Sequence, residues 1–89
     1  MRAVREYYVP MFGETRLETE HVLKWLCVGV CSLTPVVWAL VDTKRPNETH
    51  RILTYDNDDK VTAIGDQYLG TVRFRDARPA LHVFRAPDV

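Results

Sequence analysis

The side chains best suited to chemistry in this sequence are arginines interleaved with aromatic and imidazole rings. They are Arg51 and Tyr55, Tyr68, Arg73 and Arg75, Trp38, and His82 beside the last apolar run. A guanidinium offers a planar, two-point grip on phosphate, and aromatic rings stack on bases. Arg51, Arg73 and Arg75 would hold phosphate while Trp38, Tyr55 and Tyr68 stack, so the seven are candidate ligand-binding residues for an anionic, ring-bearing molecule. On residue types alone, a solvated sheet face with Arg paired to Asp and Glu across strands fits them better.

Other chemistries find less support. Cys27 and Cys31 lie in an apolar run, where a thiolate is disfavoured, and they read as reduced, buried thiols. His21, His50 and His82 fall in no nucleophile motif. No second Cys or His pair stands at zinc-binding spacing. Asp56-Asn57-Asp58-Asp59-Lys60 begins like a calcium loop but has Val61 where the turn needs Gly and Gln67 where the bidentate Glu belongs, so it reads as a solvated turn. With no glycine-rich phosphate loop either, the expectation is a binding protein, not an enzyme, with no cofactor.

The elements that must position these residues are strands, because alternation of apolar and polar residues dominates and helical periodicity is scarce. Val4–Val9, ending at Pro10, and Thr15–Thr19 read as edge strands. Val22–Val30 is apolar on both faces and is expected to be central or covered by a partner, with Val22, Leu26, Val28 and Val30 opposite Leu23, Trp25 and Cys27. A turn at Ser32–Pro35 leads to the strand Val36–Asp42, giving an antiparallel hairpin. Thr49–Tyr55 places Arg51, Leu53 and Tyr55 on one face. In Tyr68–Arg75 the alternation turns Tyr68, Gly70, Val72 and Phe74 inward, and Gly70 lets another backbone or a ring approach closely. Lys60–Asp66 reads as a loop or one helical turn. Ala80–Arg85 closes the fold, with a frayed tail from Ala86. The fold class is therefore mostly β, with about five to seven short strands in an antiparallel meander that curls into a barrel or a sandwich.

The 89 residues make one domain, spanning 1–89. A chain of this size buries only about 60–65% of its unfolded surface, which makes a homo-oligomer an attractive source of further burial. Both faces of the central hairpin exceed what the monomer can cover, so of Trp25 and Trp38 one is expected at a subunit interface or ligand pocket. Twelve basic and twelve acidic residues balance to zero, which argues against duplex nucleic acid as a partner. The first residues carry no apolar core of signal-peptide length, and Ser32, Thr34 and Pro35 interrupt the longest apolar stretch, so no membrane association is expected and the location reads as cytoplasmic.

Val37-Trp38-Ala39-Leu40-Val41-Asp42, Arg51-Ile52-Leu53-Thr54-Tyr55, Tyr68-Leu69-Gly70-Thr71 and His82-Val83-Phe84 follow one another in an order that resembles a family of uncharacterised small proteins of tailed bacteriophages. The similarity spans Val22 to Phe84. It departs in the amino-terminal arm and in having Asp56-Asn57-Asp58-Asp59 where a glycine-rich turn would follow the third strand. What the resemblance implies is a phage accessory protein in the host cytoplasm that counters immunity. It would do so by sequestering a nucleotide signal of the cyclic nucleotide or cyclic ADP-ribose type, or by occluding a host defence protein.

Overall fold

The computed structural model describes residues 1–9, 11, 13–57, 67–75 and 78–86. The expected Lys60–Asp66 loop or turn, the second half of the acidic turn before it (Asp58 and Asp59) and the tail beyond Ala86 lie outside these residues. Among the described residues seven strands form: β1 (Arg2–Tyr8), β2 (Gly13–Thr19), β3 (His21–Cys31), β4 (Thr34–Asp42), β5 (Glu48–Tyr55), β6 (Gln67–Val72) and β7 (Leu81–Ala86). They make two antiparallel sheets, in the orders β1-β4-β3 and β2-β5-β7-β6. Of the barrel and the sandwich, the chain forms the sandwich.

Two layers arise because each sheet has one face too apolar to leave in water. Val37 of β4 packs in one cluster with Ile52 of β5, Val83 and Leu81 of β7 and Val72 of β6, and Ala39 and Val41 of β4 are buried as well. Ile52, Leu81 and Val83 each contribute about 1.5–3 kcal/mol by leaving water. In β5 the period of two is clean: His50, Ile52 and Thr54 are buried, while Arg51, Leu53 and Tyr55 lie half-buried on the other face. Only β3–β4 and β6–β7 are neighbours in both chain and sheet. The other pairings bypass intervening strands, because the chain crosses repeatedly between layers to fill one core.

The β3–β4 hairpin forms, but β3 is an edge strand rather than a central one. Its pairing with β4 shifts register between Val22 and Lys24 and again between Trp25 and Cys27. Each shift adds a residue and reverses which face the following side chains take. Trp25, opposite Ala39, and Val28, opposite Val37, therefore share the core-facing side, although strict alternation separates them. Cys27 lies opposite Trp38 on the outer face and is exposed, and Cys31 is half-buried, so neither thiol is sealed inside. A shift between Tyr68 and Gly70 does the same to β6: Tyr68 points outward, and Leu69 packs against the core. Ala86 ends β7 and is buried instead of fraying.

The two tryptophans divide between the faces of the hairpin sheet. Trp25 packs against the core cluster, edge-on to His50 with ring centroids 5.1 Å apart. Trp38 lies half-buried on the outer face, its Nε1–H donating to Glu6 at 3.2 Å. The outer face also exposes Val4 and Tyr8 of β1. Arg5 pins β1 to the corner between β2 and β3 by donating to Glu20 at 2.7 Å, and this contact raises the Arg5 pKa further. At the end of β4 the backbone N–H of Lys44, first, and the amino terminus hold the Asp42 carboxyl below its ordinary range.

Candidate functional site

β3 and β6 are edge strands of different sheets, and they meet along one side of the sandwich. Their contact depends on Gly70, which has φ +153° and no side chain: a Cβ there would stand 2.6 Å from Val28 Cγ2. The close approach expected at Gly70 is thus made by the Val28 side chain. The seam opens into a cleft at each end.

The first cleft, of about 540 Å³, lies where both strands end. Val28, Val72 and Phe74 give it apolar walls, Leu33 forms one lip, and Arg73 and Arg75 stand on the other. Both arginines are exposed and make no ion pair among the described residues. Arg78 braces this end: its guanidinium lies 3.9 Å from the Phe74 ring centroid, and its Nη1 donates to the Leu33 carbonyl at 3.5 Å. Leu33 occupies an unusual backbone position. Ser32 and Leu33 are the two central residues of the hairpin turn, with φ of 49° and 68°.

Thr71 connects this cleft to the outer face of the four-stranded sheet. Its hydroxyl shares hydrogen bonds with the Tyr68 phenol and, at 3.0 Å, with His82 Nδ1, and His82 Nε2 lies 2.7 Å from Asn57 Oδ1. Beside it, the Phe84 ring is flanked by Tyr55 and Tyr68, with centroids 5.6 and 5.4 Å apart.

The second cleft, of about 430 Å³, lies where the strands begin and is lined by Lys24, Trp25, Glu48, His50, Gln67 and Arg85, with Val22 and Leu23. Glu48 Oε1 accepts from the Val22 N–H at 2.8 Å and stands 2.6 Å from His21 Nδ1. Its Oε2 is 3.1 Å from Nε2 of the buried His50. Arg85 Nε–H donates to His50 Nδ1 at 3.0 Å, and Arg45 Nη1 contacts His21 Nε2 at 3.2 Å. Since arginine only donates, His50 Nδ1 and His21 Nε2 accept from it, while His50 Nε2 lies near Glu48 without a hydrogen bond to it.

The seven candidate residues therefore occupy separate places. Arg73 and Arg75 share the first cleft, and Tyr68 and His82 join it through Thr71. Tyr55 belongs to the aromatic group behind them. Arg51 is closely ion-paired with Glu14, which satisfies the cross-strand reading for that residue. Trp38 is on the opposite outer surface, where its ring covers Gly29. Arg78, Leu33 and Thr71 escaped the sequence reading as site residues, as did Glu48 and His50, whereas Arg85 stood in it as an alternative to His82 on the closing strand. The available signals were three arginines around one phenylalanine at Arg73–Arg78, and a histidine in register with the core residues Ile52 and Thr54.

Among the described residues no set of three or more His, Cys, Asp and Glu is grouped to hold a metal ion, and no helix is long and apolar enough to cross a membrane. Neither a curated protein nor a solved structure matches the chain. A family model does match, over residues 1–89, and by it the chain belongs to the family described as Domain of unknown function (DUF7352).

Proposed function

We propose that this chain is a non-catalytic binding module that holds a small anionic ligand with a flat apolar body in the cleft between Leu33 and Arg73–Arg75. The observation that carries the reading is the pair of arginines without ion-pair partners among the described residues, standing over the apolar walls of Val28, Val72 and Phe74. A phosphate placed between two guanidinium groups makes charge-assisted hydrogen bonds, each worth about 1.5–3 kcal/mol where water is excluded. A base or other flat ring would lie against Phe74, which Arg78 already holds in place. The narrower reading is sequestration of a cyclic nucleotide or cyclic ADP-ribose signal in the cytoplasm of a phage-infected host. It draws its support from the resemblance of the Trp38, Tyr68 and His82 segments.

Calorimetry against a panel of cyclic mononucleotides, cyclic dinucleotides and cyclic ADP-ribose tests the proposal. Saturable binding is expected for at least one, weakened about 10–100-fold in Arg73→Ala/Arg75→Ala. No heat from any of them at micromolar protein would refute it.

A second reading rests on the outer face of the β1-β4-β3 sheet, where Val4 is 58% and Tyr8 60% exposed beside Trp38. An apolar face of this kind suits a protein partner, either a host defence factor or a second copy of the chain. Light scattering and capture from host lysate separate these outcomes. A monomer that captures no stoichiometric partner would end this reading.

A further inference from the structure

We propose that the polar cleft at the other end of the seam is a separate binding site for a small carboxylate, gripped by Arg85. The guanidinium of Arg85 is half-buried yet makes no ion pair among the described residues. Its Nε–H is committed to His50, and His50 is neutral, so no negative charge answers it there. Glu48 is the nearby carboxylate, but one of its oxygens is taken by His21 and the Val22 N–H, and the other faces His50. Among the described residues no counter-charge meets the Nη groups of Arg85, and a half-buried guanidinium without one favours an anion from outside.

The rest of the lining selects the anion. Lys24, exposed and without an ion pair among the described residues, adds a second positive charge, and Gln67 offers an amide. With Glu48 ionised, the positive charges of the described lining, Lys24 and Arg85, exceed the negative by a single unit, which matches a monoanion and disfavours doubly charged phosphate. A carboxylate also matches the guanidinium fork in shape. Trp25 supplies a flat wall for a ring or short chain attached to that carboxylate. His50 would act as a positioning residue, holding Arg85 by its Nε.

NMR titration of the full chain with benzoate, and separately with inorganic phosphate at matched ionic strength, tests the proposal. Benzoate is expected to shift the Trp25 indole N–H saturably and leave that of Trp38 in place, with phosphate binding roughly tenfold more weakly or not at all. Lys24→Gln, a change at an exposed position, should weaken benzoate several-fold, and Arg85→Lys, which keeps the charge but loses the fork, about tenfold. Arg73→Gln/Arg75→Gln should leave the titration unchanged. The absence of a saturable Trp25 shift in the unmodified chain would overturn the proposal. So would phosphate matching benzoate, or Lys24→Gln titrating as the unmodified chain does.

Discussion

Gly70→Ala will lower the unfolding free energy by about 2–4 kcal/mol, the sum of a steric clash and a backbone penalty. The added methyl would meet Val28 Cγ2 at 2.6 Å, inside any real carbon–carbon contact, and alanine disfavours the observed φ of +153°. Chemical denaturation should show a lower midpoint with an unchanged slope, and the thermal midpoint should fall by roughly 10–25 °C for a domain of this size. Gly13→Ala is the matched control. It shares a positive φ, +80°, but its Cβ would meet nothing within 4 Å, so only the conformational cost of about 1 kcal/mol should appear. Combining Gly70→Ala with Val28→Ala should recover the steric part and leave the φ part, an interaction energy of about 1–2 kcal/mol in the double-mutant cycle. A Gly70→Ala loss no larger than that of Gly13→Ala would mean that β3 and β6 are not in contact as described.

Ser32→Asn/Leu33→Gly will act in the opposite direction, stabilising the fold by about 1–2 kcal/mol. Ser32 and Leu33 are the two residues between β3 and β4, both with positive φ, which is the geometry that favours Asn-Gly most. Serine and leucine hold it against their preference, and Leu33 is 69% exposed, so the replacement removes little buried area. The thermal midpoint should rise by about 5–15 °C. Leu33 also forms the lip of the Arg73–Arg75 cleft. The same variant should therefore bind the proposed ligand more weakly while unfolding at higher temperature, as expected where strain is retained at a functional position. An unchanged midpoint would show that the turn is not strained.

The strands were legible in the sequence because period-two patterning is a local signal. β4 and β5 announce themselves through runs such as Val36-Val37-Trp38-Ala39 and the alternation of Arg51, Leu53 and Tyr55 with Ile52 and Thr54. The bulges were not legible. Leu23, Leu26 and Leu69 sit where the register shifts, and a leucine fits either parity, so nothing in the residue types marks the extra position. That is why Trp25 and Val28 came to share a face and why Tyr68 turned outward. Arg73 and Arg75 could be read as binding residues because they flank Phe74 in the chain. The arrangement of Glu48, His50 and Arg85 could not be, because three elements remote in sequence bring it together.

The strand order also sets the sequence of events during folding. β1 precedes every other strand yet bonds only to β4, and β2 only to β5, so neither finds its partner until much more of the chain has assembled. The β3–β4 and β6–β7 pairs are the two that can close locally, and β3–β4 must do so through the Ser32–Leu33 turn. A topology this rich in distant pairings belongs among slow folders, with times of milliseconds to seconds. Relief of strain in that turn should therefore appear chiefly as faster refolding, whereas changes in β1, which docks late, should appear as faster unfolding.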